Sequence, residues 1–252
     1  MKKNVITAAL AAIMIGLTAC GETMIPADQV EADITAQYEA LPTKEPEPTK
    51  AAPTEAAVPT NPAAEGRVSK HSGEEVYATI DVADYGKIVV KLEPDEAPIT
   101  VDNFVDLAES GFYNGLTFHR IMDSFMIQGG DPTATGTGGS SETITGEFSD
   151  NGIENNITHV RGTISMARNG FDNDSASSQF FIVNADQTSQ GVPMPQVLDG
   201  KYAAFGNVVE GMEVVDAITA DKAPLATDGN GGGISYEDQP VMNSVTITYG
   251  SY

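Results

Sequence analysis

The stretch VYATIDVADYGKIVVKLEPDEAPITVDNFVDLAESG, Val76 to Gly111, changes its hydrophobic period midway, and that change sets the fold class. Val76 to Val82 alternates, and Gly86 to Leu92 follows after the turn residues Ala83 to Tyr85, so the two predict a β-hairpin. In the second half Val101, Phe104, Val105 and Ala108 fall at i, i+3, i+4 and i+7. Pro98 suits a first helical turn and Gly111 an end, which predicts an amphipathic helix against a core. Farther on, LTFHRIM, FMIQGG, GTISMA, SQFFIVN, YAAFGNVV and VMNSVTITY are short apolar segments separated by Gly, Asn and Asp. In EGMEVVDAI, Met212, Val215 and Ile218 return to near-helical spacing. The expected architecture is all-β, a closed or nearly closed barrel with two helices covering its ends.

At 252 residues, 40% of them hydrophobic, the chain can bury one substantial core. Thirteen Lys+Arg against 36 Asp+Glu give a formal charge of -23, which repels a nucleic-acid backbone, so no nucleic-acid partner is expected. GGDPTATGTGG is glycine-rich but lacks the Gly-Lys-Ser/Thr of a phosphate loop. DNDSAS and DGNGGG bear a faint likeness to calcium loops, but Val183 and Gln239 stand where the twelfth-position glutamate belongs; both read as turns, and no metal is expected.

The first residues address a compartment. MKKN is a basic start, and Val5 to Leu17 is an apolar run of 13 residues, shorter than the roughly 18 a membrane span needs. Residues 1–19 are expected to be a signal peptide. LTACG follows, with Cys20 the only cysteine, and resembles the lipobox of bacterial lipoproteins. That resemblance implies acylation of Cys20 and an extracytoplasmic protein anchored to the cell membrane; an ordinary secretory signal is the alternative. Residues 20–74, rich in Pro, Thr, Glu and Ala, hold few large apolar side chains and read as a disordered tether. Residues 75–252 are the expected globular domain.

Three ordered blocks, FHRIMDSFMIQGGDPTATGTGG, GTISMARNGFDNDSASSQFFIVNAD and LDGKYAAFGNVVEGMEVVDAI, resemble the cyclophilins, peptidyl-prolyl cis/trans isomerases. The resemblance runs from about Glu75 to Tyr252. It implies an eight-stranded antiparallel closed barrel capped by two α-helices, no cofactor, and proline-containing peptides and unfolded exported proteins as partners, with a monomer as the expected state. Isomerisation breaks no bond, so it needs no nucleophile. It needs a grip on the proline ring and a donor that favours the twisted amide, and a guanidinium is such a donor.

Carried over residue by residue, the resemblance makes Arg120 that donor, with Phe125 and Gln128 beside it in catalysis. Phe125, Met126 and Phe181 become walls of the proline slot, closed by Leu198. Gln128 holds the substrate backbone with Gln179 beside it, Ala167 and Arg168 occupy the strand along which a peptide lies, and Gly136 borders the neighbouring pocket. Val197 stands where animal cyclophilins carry tryptophan, and Tyr202 where they carry histidine. These departures bear on cyclosporin binding more than on catalysis, since Arg120, Phe125, Gln128 and Phe181 remain. His119 reads as structural, because the reaction transfers no proton. A proline-peptide-binding holdase with incidental catalysis and a solute-binding lipoprotein are the competing functions.

Overall fold

The computed structural model describes residues 66–228 and 231–252. The expected signal peptide, Cys20 and most of the tether lie outside the described residues. Everything described belongs to one compact unit.

Among the described residues eight strands form one antiparallel sheet: β1 (Val76–Val82), β2 (Gly86–Leu92), β3 (Thr117–Met122), β4 (Met126–Asp131), β5 (Thr163–Met166), β6 (Phe180–Val183), β7 (Ala204–Glu210) and β8 (Met242–Tyr249), in the order β3-β4-β6-β5-β7-β2-β1-β8. The hairpin has the expected bounds. The edge strands β3 and β8 meet at one end only, through a Thr117/Val241 bridge and bonds from Met242 N to Leu116 O (2.8 Å) and from Phe118 N to Pro240 O (2.9 Å). Farther along, the free edge of β3 is covered by residues 232–234: Ile121 N donates to Gly232 O at 2.8 Å and Ile234 N to His119 O at 3.0 Å. A continuous β3–β8 ladder is therefore replaced by a seam of irregular chain.

Among the described residues three α-helices accompany the sheet: α1 (Pro98–Glu109), α2 (Met194–Leu198) and α3 (Met212–Lys222). The first and third match the expected pair. The second is a single turn, too short for its spacing to register as periodic. Val101, Phe104, Val105 and Ala108 of α1 are buried, as their spacing requires. Phe104 sits 5.5 Å from Phe180, 5.2 Å from Phe205 and 5.1 Å from Tyr113, ring centroid to centroid, the aromatic centre of the main core.

The N-cap of α1 is Ala97, which offers no capping side chain, and the first turn holds no acidic residue. Its orphan amides are met from elsewhere in the chain. The buried carboxylate of Glu147 accepts from Ile99 N (3.0 Å), Thr100 N (2.8 Å) and Thr100 Oγ1 (2.6 Å). Burial raises the Glu147 pKa against the opposing pull of these bonds. Replacing it strands three buried donors, so Glu147→Ala is expected to lower unfolding stability by about 2–4 kcal/mol, with Glu147→Gln between it and wild type. Urea denaturation measures this; a change under about 0.5 kcal/mol would show that the cap is dispensable.

Candidate active site

Strand register builds the site. Across β3, β4, β6 and β5, Arg120 pairs with Gln128, Gln128 with Phe181, and Phe181 with Ser165; the next row pairs Met122, Met126 and Val183. These outward side chains, Met126, Phe181 and Val183 with Met194 and Leu198 from α2, form a small apolar cluster separate from the main core. Ile121, Ile127, Phe180 and Ile182 point the other way, into that core.

Strict alternation would put Phe118 and Arg120 on one face. Instead Phe118 pairs with Gly129 and Arg120 with Gln128, so His119 is an extra residue on β3, a β-bulge. The bulge lets both Phe118 and Ile121 enter the main core while Arg120 faces outward. The opposing strand must come close here. A Cβ on Gly129 would lie 2.7 Å from Thr117 O, and one on Gly130, at φ +83°, 2.5 Å from Ser178 O.

A cavity of about 360 Å³ opens over this face. Arg120, Phe125, Met126, Gln128, Gly136, Ala167, Arg168, Phe181, Leu198 and Tyr202 all line it. Gln179, the remaining residue of the expected set, supports the wall from behind. Its Nε2 donates to Gly136 O (3.1 Å) and Gly138 O (2.7 Å), and its Oε1 accepts from Gln128 Nε2 at 2.8 Å. Gln128 Oε1 in turn accepts from Arg120 Nη1 at 3.1 Å. Arg120 Nε donates to Gly231 O at 2.6 Å, and Nη2 lies 3.0 Å from Met122 Sδ. Partial burial lowers the guanidinium pKa against the charge of Asp228, yet a guanidinium remains protonated at any working pH. β5 ends at Met166, Ala167 continues its pairing by one rung, its N donating to Gln179 O at 2.9 Å, and Arg168 follows just past that end.

Several supports were not anticipated. Asn184, 7% exposed, fastens the β3–β4 turn that carries Phe125: its Oδ1 accepts from Phe125 N (2.7 Å), and its Nδ2 donates to Met122 O (2.8 Å) and to Thr219 Oγ1 of α3 (3.1 Å). Asp131 organises the loop bearing Gly136, accepting from the amides of Thr133 (2.7 Å), Thr135 (3.1 Å), Gly136 (2.6 Å) and Gly138 (3.1 Å). Burial alone would raise its pKa; the bonds outweigh it, and the pKa is lowered. His159 stacks on Phe181 with centroids 6.3 Å apart, held by Asp199 (2.7 Å) and Ser165 (3.0 Å). His119, Thr135, Asp228 and Gly233 also line the cavity. Asn184 and His159 depend on partners distant in the chain, which no local pattern marks, whereas the partners of Asp131 lie within seven residues of it. A larger groove, about 970 Å³, lies on the far side of Phe125 and includes none of the expected polar residues.

The comparisons with known proteins agree with this geometry. The family model described as cyclophilin type peptidyl-prolyl cis-trans isomerase/CLD matches residues 77–249. The chain belongs to the cyclophilin family. This cyclophilin is a peptidyl-prolyl cis-trans isomerase. A Staphylococcus saprophyticus protein assigned as a peptidyl-prolyl cis-trans isomerase is 40% identical over 157 residues, covering 54% of this chain and 78% of that protein. The human peptidylprolyl isomerase domain and WD repeat-containing protein 1 is 45% identical over 159 residues, 63% of this chain but 22% of that protein. A Cryptosporidium parvum cyclophilin-type isomerase, crystallised in the presence of the dipeptide Ala-Pro, superposes with TM-score 0.55 at 28% identity, over 68% of this chain and 98% of that one.

Two buried histidines in the site make stability pH-dependent. Burial lowers the pKa of His119, with Asp131 opposing and Arg120 reinforcing; burial also lowers that of His159 against the bond and charge of Asp199. The unfolded chain, with histidine near about 6.5, then binds more protons than the folded one below that pH. Stability is complete above about pH 6.5 and falls as pH drops below it, by at most about 1.4 kcal/mol per pH unit for each histidine. Urea midpoints at pH 7.5 and 5.5 measure this; equal midpoints would contradict it.

Proposed function

We propose that this cyclophilin accelerates Xaa-Pro rotation in exported polypeptides from a lipid anchor at Cys20, and that Arg120 carries the rate. The observation behind the role of Arg120 is its place in the slot wall, bonded to Gln128 and Gly231 O with donors to spare. Rotation about the peptide bond faces a barrier of about 18–20 kcal/mol from amide resonance. Phe125, Met126, Phe181 and Leu198 grip the ring, while Gln128 fixes the substrate backbone and the preceding carbonyl is left to turn. As the amide twists, its nitrogen pyramidalises and gains a lone pair, which the guanidinium meets with a hydrogen bond stronger there than in the planar ground state. Every ~1.4 kcal/mol of that preference is worth about tenfold in rate.

The Ala-Pro dipeptide of the Cryptosporidium relative supports proline-containing peptides as ligands. The basic start, the 13-residue apolar run and LTACG support export and acylation. Among the described residues no helix is long and apolar enough to cross a membrane. Uncatalysed isomerisation takes tens to hundreds of seconds, long enough to limit folding after export, and catalysis needs no ATP. We read the domain as a monomer and the seam at residues 232–242 as the closure of a barrel.

Proline-limited refolding of a client tests the proposal. Arg120→Ala is expected to lower the catalysed rate about 100-fold or more while thermal unfolding is unchanged, and Cys20→Ser to release the protein from membranes into the soluble fraction. Unaltered catalysis would refute the role of Arg120; a Cys20→Ser protein still held at the membrane would refute the anchor. A client still protected from aggregation by Arg120→Ala would indicate holding independent of turnover.

A further inference from the structure

Arg168 gives the slot rim a charge that proline binding does not require. Among the described residues Lys70, Lys91, Arg161 and Lys222 find carboxylates within 4.0 Å, Arg161 meeting Asp216 at 2.6 Å, whereas Arg67, Lys87, Arg120, Lys201 and Arg168 do not; of these only Arg120 and Arg168 line the slot. Arg168 has no carboxylate within 4.0 Å among the described residues. Neutral groups hold it instead. Its Nε donates to Lys201 O at 2.8 Å and its Nη1 to Asn169 O at 2.9 Å. Its Cζ lies 5.1 Å from the Phe148 ring centroid and 5.2 Å from that of Tyr202.

Two rings and two carbonyls thus fix the plane of the guanidinium while most of its N–H donors stay unused among the described residues. Tyr202 meets the slot wall edge-on, its ring 5.6 Å from that of Phe181. The cation is therefore two ring contacts from the proline grip, within reach of the neighbouring substrate residues at about 3.3–3.6 Å per residue of extended chain. At the opposite end of the strand row, beside β3, Asp228 lines the same cavity. The slot carries Asp228 together with Arg120 at its β3 end and, past β5, a second cation with no carboxylate partner among the described residues.

We propose that Arg168 makes the slot select Xaa-Pro segments bearing a carboxylate within two residues of the proline. This rests on the slot reading above and narrows its substrate to acidic peptides. A fixed guanidinium fork matches a carboxylate in two-pronged geometry. The formal charge of -23 opposes an acidic ligand at long range, but at physiological ionic strength screening over about 8 Å leaves the nearest charge in control.

Exchange NMR on Ala-Ala-Pro-Phe peptides with Glu, Ala or Lys placed in turn one and two positions either side of the proline gives kcat/KM after subtraction of uncatalysed rates. At one position or more, Glu is expected to exceed Lys about fivefold in 0.05 M salt, with the ratio approaching unity in 1 M salt. Arg168→Asn should abolish the ratio and Arg168→Lys retain part of it. The ratio is taken within each protein, so a general loss of activity cancels. Equal Glu and Lys rates at every position, a ratio indifferent to salt, or one unchanged in Arg168→Asn would overturn the proposal. If Arg168→Asn does not fold, the salt series on the unmutated protein decides. Turnover of no peptide would overturn the slot reading itself, and this inference with it.

Discussion

One inserted residue, the bulge at His119, decides which way Arg120 faces. Without it, β3 would carry Phe118 and Arg120 on one side, and either an arginine would enter the aromatic core or a phenylalanine would leave it. Burying an unpaired guanidinium costs several kcal/mol, on the order of the whole stability of a small domain. The bulge resolves the conflict locally. It also places His119 beneath Gly136, buried with neither ring nitrogen hydrogen-bonded among the described residues.

From that point the site is layered. Register sets Arg120 beside Gln128 and Gln128 beside Phe181, and a chain of amides then runs from Arg120 through Gln128 and Gln179 to the loop at Gly136 and Gly138. The loop is itself fixed by the carboxylate of Asp131, and the Phe125 turn by Asn184, which ties it to α3. The guanidinium is thus held in the slot wall by fixed neighbours, and in the role proposed for it little reorganisation would be needed as the amide twists.

How much of this the sequence revealed follows from what periodicity can encode. The bounds of β1 and β2 and the buried face of α1 follow from apolar spacing, and the structure repeats them. The slot lining came from ordered motifs, and all but Gln179 of its expected residues share one cavity. Alternation misassigns Arg120, because a bulge leaves no mark in residue type. Glu147 was equally hidden: its partners on α1 lie 47 and 48 residues away, although the lack of a capping residue before Pro98 does signal that an acceptor must come from elsewhere. The α2 turn that brings Leu198 to the slot is too short to show any period.

The account stands on the guanidinium of Arg120 being held in place by the amides behind it, and a double-mutant cycle between Arg120 and Gln179 reads that coupling directly. Gln179 supports the cavity without lining it, so its effect on kcat/KM should pass through Gln128 to Arg120. The expected result is that Gln179→Ala costs about tenfold in the wild-type background and nothing further in Arg120→Ala, a coupling near 1.4 kcal/mol. Strictly additive losses would mean that the two residues act independently, and that what holds the arginine ready lies elsewhere.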